Sequence, residues 1–209
     1  MPPLTGLYVI AELSGAVGER IRRINVEFDP RLARLQVAPH VTIVGSSGMG
    51  PIRPDVPLDE LRERLAPIAA ATPPMLLRFE PPMRFMQSTV VVLPLSPHGP
   101  LRALHEAIKA SGLPYARPRF TFSPHATLSL YRELTRETER RLMSIRIDDP
   151  VLVDRITLTE TRDPMPPRPM LELPLGGGPI VVTAEGASGT GAGRPPSLAP
   201  PGGPPPTSP

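Results

Sequence analysis

Two short segments of the chain nearly repeat each other: Pro39-His40-Val41-Thr42-Ile43 and Pro124-His125-Ala126-Thr127-Leu128. Each sets an imidazole and a hydroxyl two residues apart in a run that otherwise reads as a buried strand. Side chains alternate across a strand, so His40 and Thr42 point to one face, as do His125 and Thr127. Val41 and Ile43, or Ala126 and Leu128, then turn to the other face and into a core. If the two strands lie side by side, two imidazoles and two hydroxyls converge on one spot. Imidazole titrates near neutral pH, so one can serve as general base while the other serves as general acid. The hydroxyls can donate hydrogen bonds to an anion where charge develops.

The other two of the four histidines lack this context. His98 sits in the turn-like Ser96-Pro97-His98-Gly99-Pro100 and is expected on the surface. His105 lies beside the apolar face of a helix and reads as structural. Before His40 and His125, the prolines fix the strand entrance and hold Ala38 and Ser123 extended. The plainer alternative is that both are core histidines bonded to backbone. A metal site is a poor reading, because neither strand offers a neighbouring Asp, Glu or Cys to complete a ligand set. A serine nucleophile is no better, since the chain has no Gly-x-Ser-x-Gly elbow. Cysteine is absent, which excludes disulfides, thiolate metal sites and a Cys nucleophile.

The elements that must carry these residues fit within 209 residues, 40% of them hydrophobic, enough for one core and two closely packed lobes. Aromatics make up 4% and Trp is absent, so the core rests on Leu, Ile, Val and Met. The formal charge is +3, too balanced for a nucleic-acid footprint without clustering on one surface. Lys109 is the sole lysine. Arginine suits bidentate contact with phosphate, although a GC-rich genome produces the same bias. No run approaches the roughly 18 apolar residues of a membrane span, and the opening Met1-Pro2-Pro3-Leu4 does not read as a signal peptide. A cytoplasmic protein without a membrane partner is expected.

Strand and helix patterns alternate along residues 4–175. Leu7–Leu13 reads as a strand, and a helix from Ser14 to about Asn25 follows, with Ser14 as cap and Val17, Ile21 and Ile24 on one face. The first motif strand spans His40–Gly45. A glycine-rich, mobile-looking loop (Ser46–Pro57) leads to a helix through Leu58, Leu61, Leu65 and Ile68, with Pro67 disturbing its last turn. Met75–Phe79 and Thr89–Leu95 are strands. A helix from Gly99 to Ala110 buries Leu101, Leu104 and Ile108 and ends at Gly112. Tyr115–Phe122 is extended, and the second motif strand runs from His125 to Tyr131. Thr135 caps a charged helix ending near Ile145, and Val153–Thr161 and Pro169–Leu175 close the sheet. Residues 1–175 therefore read as one domain of two lobes, 4–72 and 73–175. Residues 176–209, about half Gly or Pro, read as a disordered tail, with Ile180-Val181-Val182 as a last edge strand.

With these motifs the chain resembles the 2H phosphoesterase superfamily, and within it the bacterial RNA 2',3'-cyclic phosphodiesterase and 2'-5' RNA ligase-like proteins. The resemblance covers most of residues 7–175, including Phe28-Asp29-Pro30, both His-x-Thr motifs and the strand Val153-Asp154-Arg155-Ile156. It implies an α+β fold: two pseudo-symmetric lobes of antiparallel sheet, helices outside, and motif strands lining a central cleft. It further implies His40 and His125 as the catalytic pair, Thr42 and Thr127 on the phosphate, and no metal or other cofactor. The expected substrates are RNA ends or small nucleotides, and a monomer is favoured. The chain departs from the family in turning to Gly45-Ser46-Ser47 after the first motif. It also places Leu130, followed by Tyr131 and Arg132, where members carry a cation. Tyr131 and Arg132 are candidate substrate contacts, as are Phe120, Phe122, Arg117 and Arg119. The loop around Gly48–Gly50 is a candidate cover for the cleft. Rival readings are a non-catalytic nucleotide-binding module on the same scaffold, a phosphodiesterase for another cyclic or 2'-5'-linked substrate, and an interaction protein acting through its Pro-rich tail.

Overall fold

The computed structural model describes residues 5–29, 38–45, 47–130, 133–162 and 166–183. Along these run β1 (Thr5–Glu12), α1 (Gly15–Phe28), β2 (His40–Val44), α2 (Leu58–Ala71), β3 (Met75–Leu77), β4 (Met83–Arg84) and β5 (Val91–Pro94). Then follow α3 (Pro100–Lys109), β6 (His125–Ser129), α4 (Arg136–Met143), β7 (Val151–Val153), β8 (Arg155–Arg162), β9 (Arg168–Pro174) and β10 (Val181–Val182). Eight strands form one antiparallel sheet in the order β10-β9-β8-β1-β2-β6-β5-β4, and β3 pairs with β7 alone. The fold is α+β, as expected. The two halves meet where β2 pairs with β6, so the sheet runs unbroken across their junction.

Alternation decides which face is covered. Leu7, Val9 and Ala11 of β1, Val41 and Ile43 of β2, and Ala126 and Leu128 of β6 are buried, as are Ile156 and Leu158 of β8. They join one cluster with Val17 and Ile21 of α1, Leu61 and Leu65 of α2, and Leu101, Leu104 and Ile108 of α3. Burying such side chains contributes about 1.5–3 kcal/mol each, so this face is committed to helices. The opposite face carries the half-buried His40, Thr42, His125 and Thr127 and is only partly covered.

Local signals placed the helices well. Ser14 occupies the extended N-cap position of α1, though its side chain makes no capping bond. Thr135 does cap α4, accepting from the Thr138 amide at 3.1 Å. Pro67 leaves α2 intact to Ala71. The proline and Glu63, whose carbonyl loses its partner, both face water, so the missing bond is met there. The short strands β4 and β7 were not anticipated.

Residues 47–56 depart from the expected mobile loop. Ile52 is fully buried and exchanges backbone bonds of 2.9 Å with Leu7 in both directions. Gly48 donates to Phe120 O at 2.8 Å, Gly50 to Ala116 O at 3.2 Å, and Arg53 to Pro114 O at 3.0 Å. A Cβ on Gly50 would lie 2.2 Å from Ala116 O, so this glycine permits close approach between backbones rather than motion. The segment is a packed seam between β1 and the stretch before β6. At the other end, β10 adds to β9 through Val181–Glu172 and Val182–Leu171. The tail from residue 184 lies outside the described residues.

Candidate active site

The motif strands pair antiparallel with Val41 opposite Ala126. Extending that register by one residue each way sets His40 opposite Thr127 and Thr42 opposite His125, all four on the partly covered face. A pseudo-two-fold axis passes through the Val41–Ala126 pair. Burial follows the same sequence in both strands: half-buried, buried, half-buried, buried, buried.

Each imidazole is held by the chain that delivers it. Nδ1 of His40 lies 2.8 Å from Ala38 O and Nδ1 of His125 lies 2.6 Å from Ser123 O. A carbonyl only accepts, so Nδ1 carries the hydrogen and Nε2 is left for chemistry. The prolines make this geometry available. Their carbonyls enter the ladder, taking bonds from Leu13 N (2.8 Å, to Pro39) and Leu95 N (2.9 Å, to Pro124). The carbonyls one residue earlier turn back to the rings. Burial lowers the His40 pKa below the ordinary value; the Ala38 bond opposes this, and the His125 charge adds to it. Burial likewise lowers that of His125, against its bond to Ser123. Because the His125 charge works against a charged His40, the pair disfavours double protonation.

The flanks are unequal. Glu12 pairs with His40 across β1–β2, whereas Pro94 holds the corresponding place beside His125. The Glu12 carboxyl is pushed up by burial and by Glu172, and Arg155 opposes both. Phe85 meets His125 edge-on, with ring centroids 5.0 Å apart. Tyr8 is half-buried, its hydroxyl pKa raised by burial and drawn down by the Arg119 charge. A Cβ on Gly45 would lie 2.6 Å from Thr42 Cγ2 and 2.9 Å from Tyr8 Cδ1, which explains a glycine directly after the first motif strand.

The structure thus brings His40, Thr42, His125 and Thr127 onto one face of two adjacent strands and places Arg119 near Tyr8. Phe120 is 66% exposed, while Phe122 is buried and stacks on His105 at 4.0 Å, which assigns it to the core. His98 is exposed. His105 is fully buried, more so than a place beside the apolar face suggested. Tyr131 and Arg132 lie outside the described residues. Phe85, Tyr8 and Glu12 went unnoticed in the sequence. For Glu12 a signal existed, because alternation from Leu7 puts it on the face opposite the core.

An antiparallel sheet in which two adjacent inner strands each carry His-x-Thr on one face is the architecture of the 2H phosphoesterases. The sequence matches the profile of the 2'-5' RNA ligase superfamily over residues 13–164, and the chain belongs to that family. Among solved structures it is similar to E. coli LigT complexed with 3'-AMP, with 21% identity and a TM-score of 0.50, over 83% of this chain and 98% of that one. It is similar also to E. coli LigT in apo form, at 18% identity and a TM-score of 0.51, with the same coverage. At such identity these likenesses speak for the fold. No curated protein matches the sequence. Among the described residues, no helix is long and apolar enough to cross a membrane.

Proposed function

We propose that this phosphodiesterase- or ligase-type protein opens 2',3'-cyclic phosphates, on RNA ends or nucleotides, with His40 and His125 as an acid–base pair. In this reading, Nε2 of one neutral imidazole takes a proton from water as the water oxygen bonds to phosphorus. Nε2–H of the other, protonated imidazole gives its proton to the ribose oxygen as the P–O bond breaks. The products are a phosphomonoester and a free hydroxyl, and the two rings end with their protonation exchanged. Thr42 and Thr127 donate to the non-bridging oxygens. With an RNA hydroxyl attacking phosphorus in place of water, the same steps form a 2'-5' linkage, and run backwards they cleave it.

The observation that carries this reading is the duplicated Nδ1–carbonyl bond, which leaves two Nε2 atoms available on one face. Residues that merely bind a nucleotide have no use for two imidazoles so fixed. The relative solved with 3'-AMP supports a nucleotide as the class of ligand. The test is turnover of 2',3'-cyclic nucleotides and of a cyclic-phosphate-ended RNA, in EDTA, by wild type and by His40→Ala and His125→Ala. Wild-type turnover with near-total loss in both variants supports the mechanism, and the position of the product phosphate identifies the leaving oxygen. Turnover that survives either substitution overturns it. Saturable binding without turnover moves the reading to a nucleotide-binding module.

A further inference from the structure

Both motif strands bulge at the same place. Across β1–β2 the register passes from Ile10–Thr42 to Val9–Val44, leaving Ile43 as the extra residue. Across β5–β6 it passes from Val92–Thr127 to Val91–Ser129, leaving Leu128 as the extra residue. A bulge takes one residue out of the ladder and re-aims its neighbours, and here it directly follows each threonine. The displaced carbonyls are not left bare. His105 Nδ1 donates to Ile43 O at 2.8 Å, and Asn25 Nδ2 donates to Leu128 O at 2.8 Å and Thr127 O at 3.0 Å. His105 is 1% exposed and Asn25 6%, each a polar interruption of its helix's buried stripe. Burying such a group is costly without a partner, and the bulge carbonyl is that partner.

The donors come crosswise. Asn25 stands on α1, between β1 and β2, yet bonds β6; His105 stands on α3, between β5 and β6, yet bonds β2. Each is further locked in place. His105 stacks on Phe122, and a Cβ on Gly48 would lie 2.3 Å from its Nε2. One turn beyond Asn25, the buried Asp29 accepts from Leu130 N at 2.6 Å, just past the end of β6.

We infer that Asn25 and His105 are positioning residues, each clamping the bulge behind the other half's threonine and so directing the Thr127 and Thr42 hydroxyls into the cleft. The inference rests on the threonines' proposed role at the phosphate; the clamp itself can be tested without it. Hydrogen exchange of the full chain is compared among wild type, Asn25→Leu and His105→Phe, which keep bulk and remove the donor. Asn25→Leu should speed exchange in residues 125–130 and spare 40–44, and His105→Phe should do the reverse. Change confined to each variant's own half, or spread evenly, overturns the clamp. If either variant does not fold, Asn25→Ser and His105→Gln, which weaken the bond rather than delete it, carry the same crossed expectation.

Turnover then tests the link to the threonines. His105→Phe should cost little on top of Thr42→Ala and its full factor on top of Thr127→Ala, and Asn25→Leu the converse. Additive losses in both backgrounds assign these residues to general stability and overturn the positioning role. If Thr42→Ala and Thr127→Ala themselves turn over like wild type, the fault lies in the phosphate role. The exchange pattern still decides the clamp.

Discussion

Around His40 the strand–helix–strand unit is β1–α1–β2; around His125 it is β5–α3–β6. The two agree in every feature that fixes the backbone of the motif: the proline, the Nδ1–carbonyl bond, the ladder bond to the proline carbonyl and the bulge after the threonine. They differ in what surrounds the imidazole. His40 faces a half-buried carboxyl, Glu12, and its strand ends in the buried Gly45 against Tyr8. His125 faces Pro94 and the edge of Phe85, and its strand ends in the exposed Leu130. An acid–base pair needs this combination. In the proposed mechanism, matched geometry would present both nitrogens to one phosphorus, and unmatched environments would let one ring be neutral while the other holds a proton.

Removing either imidazole should have the largest effect. Positioned acid–base catalysis contributes roughly 10²–10⁴-fold, so His40→Ala and His125→Ala should each lose activity on that scale. They should part on a substrate with a good leaving group, such as a nitrophenyl phosphodiester. The variant lacking the general acid should regain much of its rate, because the departing oxygen no longer needs a proton, and the variant lacking the base should not. Equal behaviour on both substrates would mean that the halves do not divide the labour.

The threonines come next. A hydrogen bond to a charged group is worth about 1.5–3 kcal/mol, which is about 10- to 100-fold in rate. Thr42→Ala and Thr127→Ala should each lower kcat by that much and remain measurable. Steady-state kinetics of the two would show whether the halves hold the phosphate equally. A smaller, one-sided effect is expected from the residue after each strand. In Gly45→Ala the new methyl would press on Thr42 and Tyr8 and should lower kcat several-fold, whereas Leu130→Ala removes an exposed side chain and should change nothing. Equal responses would deny that Gly45 makes room for the first half of the site.

The repeated His-x-Thr was legible because its two-residue period states which side chains share a face, and because it occurs twice. Pairing of the two strands, and hence the meeting of His40 with His125, was a condition the sequence could pose but only the fold could meet. The bulges were concealed. Ile43-Val44 reads as one more alternation, and the slip shows only as two buried residues in succession. Asn25 read only as the end of a helix and His105 as a structural residue, since their partners lie 103 and 62 residues away. The glycines of 48–50 misled in another way. Glycine permits both motion and close approach, and nothing local says which is used.

The smallest expected effect separates the halves most sharply. Both imidazoles titrate below the ordinary histidine value of about 6.5. The kcat/KM profile of the free enzyme should therefore be a bell whose maximum lies below pH 6.5, its two limbs set by the coupled pair. Phe85 packs edge-on against the His125 ring. Phe85→Leu should admit water to that ring, relieve part of the burial cost of its charged form and raise its pKa toward the ordinary value. Only one limb of the bell should follow. A general base must be neutral to act, so if His125 is the base, the acidic limb moves up and activity at low pH falls a few-fold. A general acid must be protonated, so if His125 is the acid, the alkaline limb moves up and activity above the maximum rises. A pH–rate profile of this single variant thus assigns the two roles, and movement of both limbs together would show that Phe85 guards the pair rather than His125.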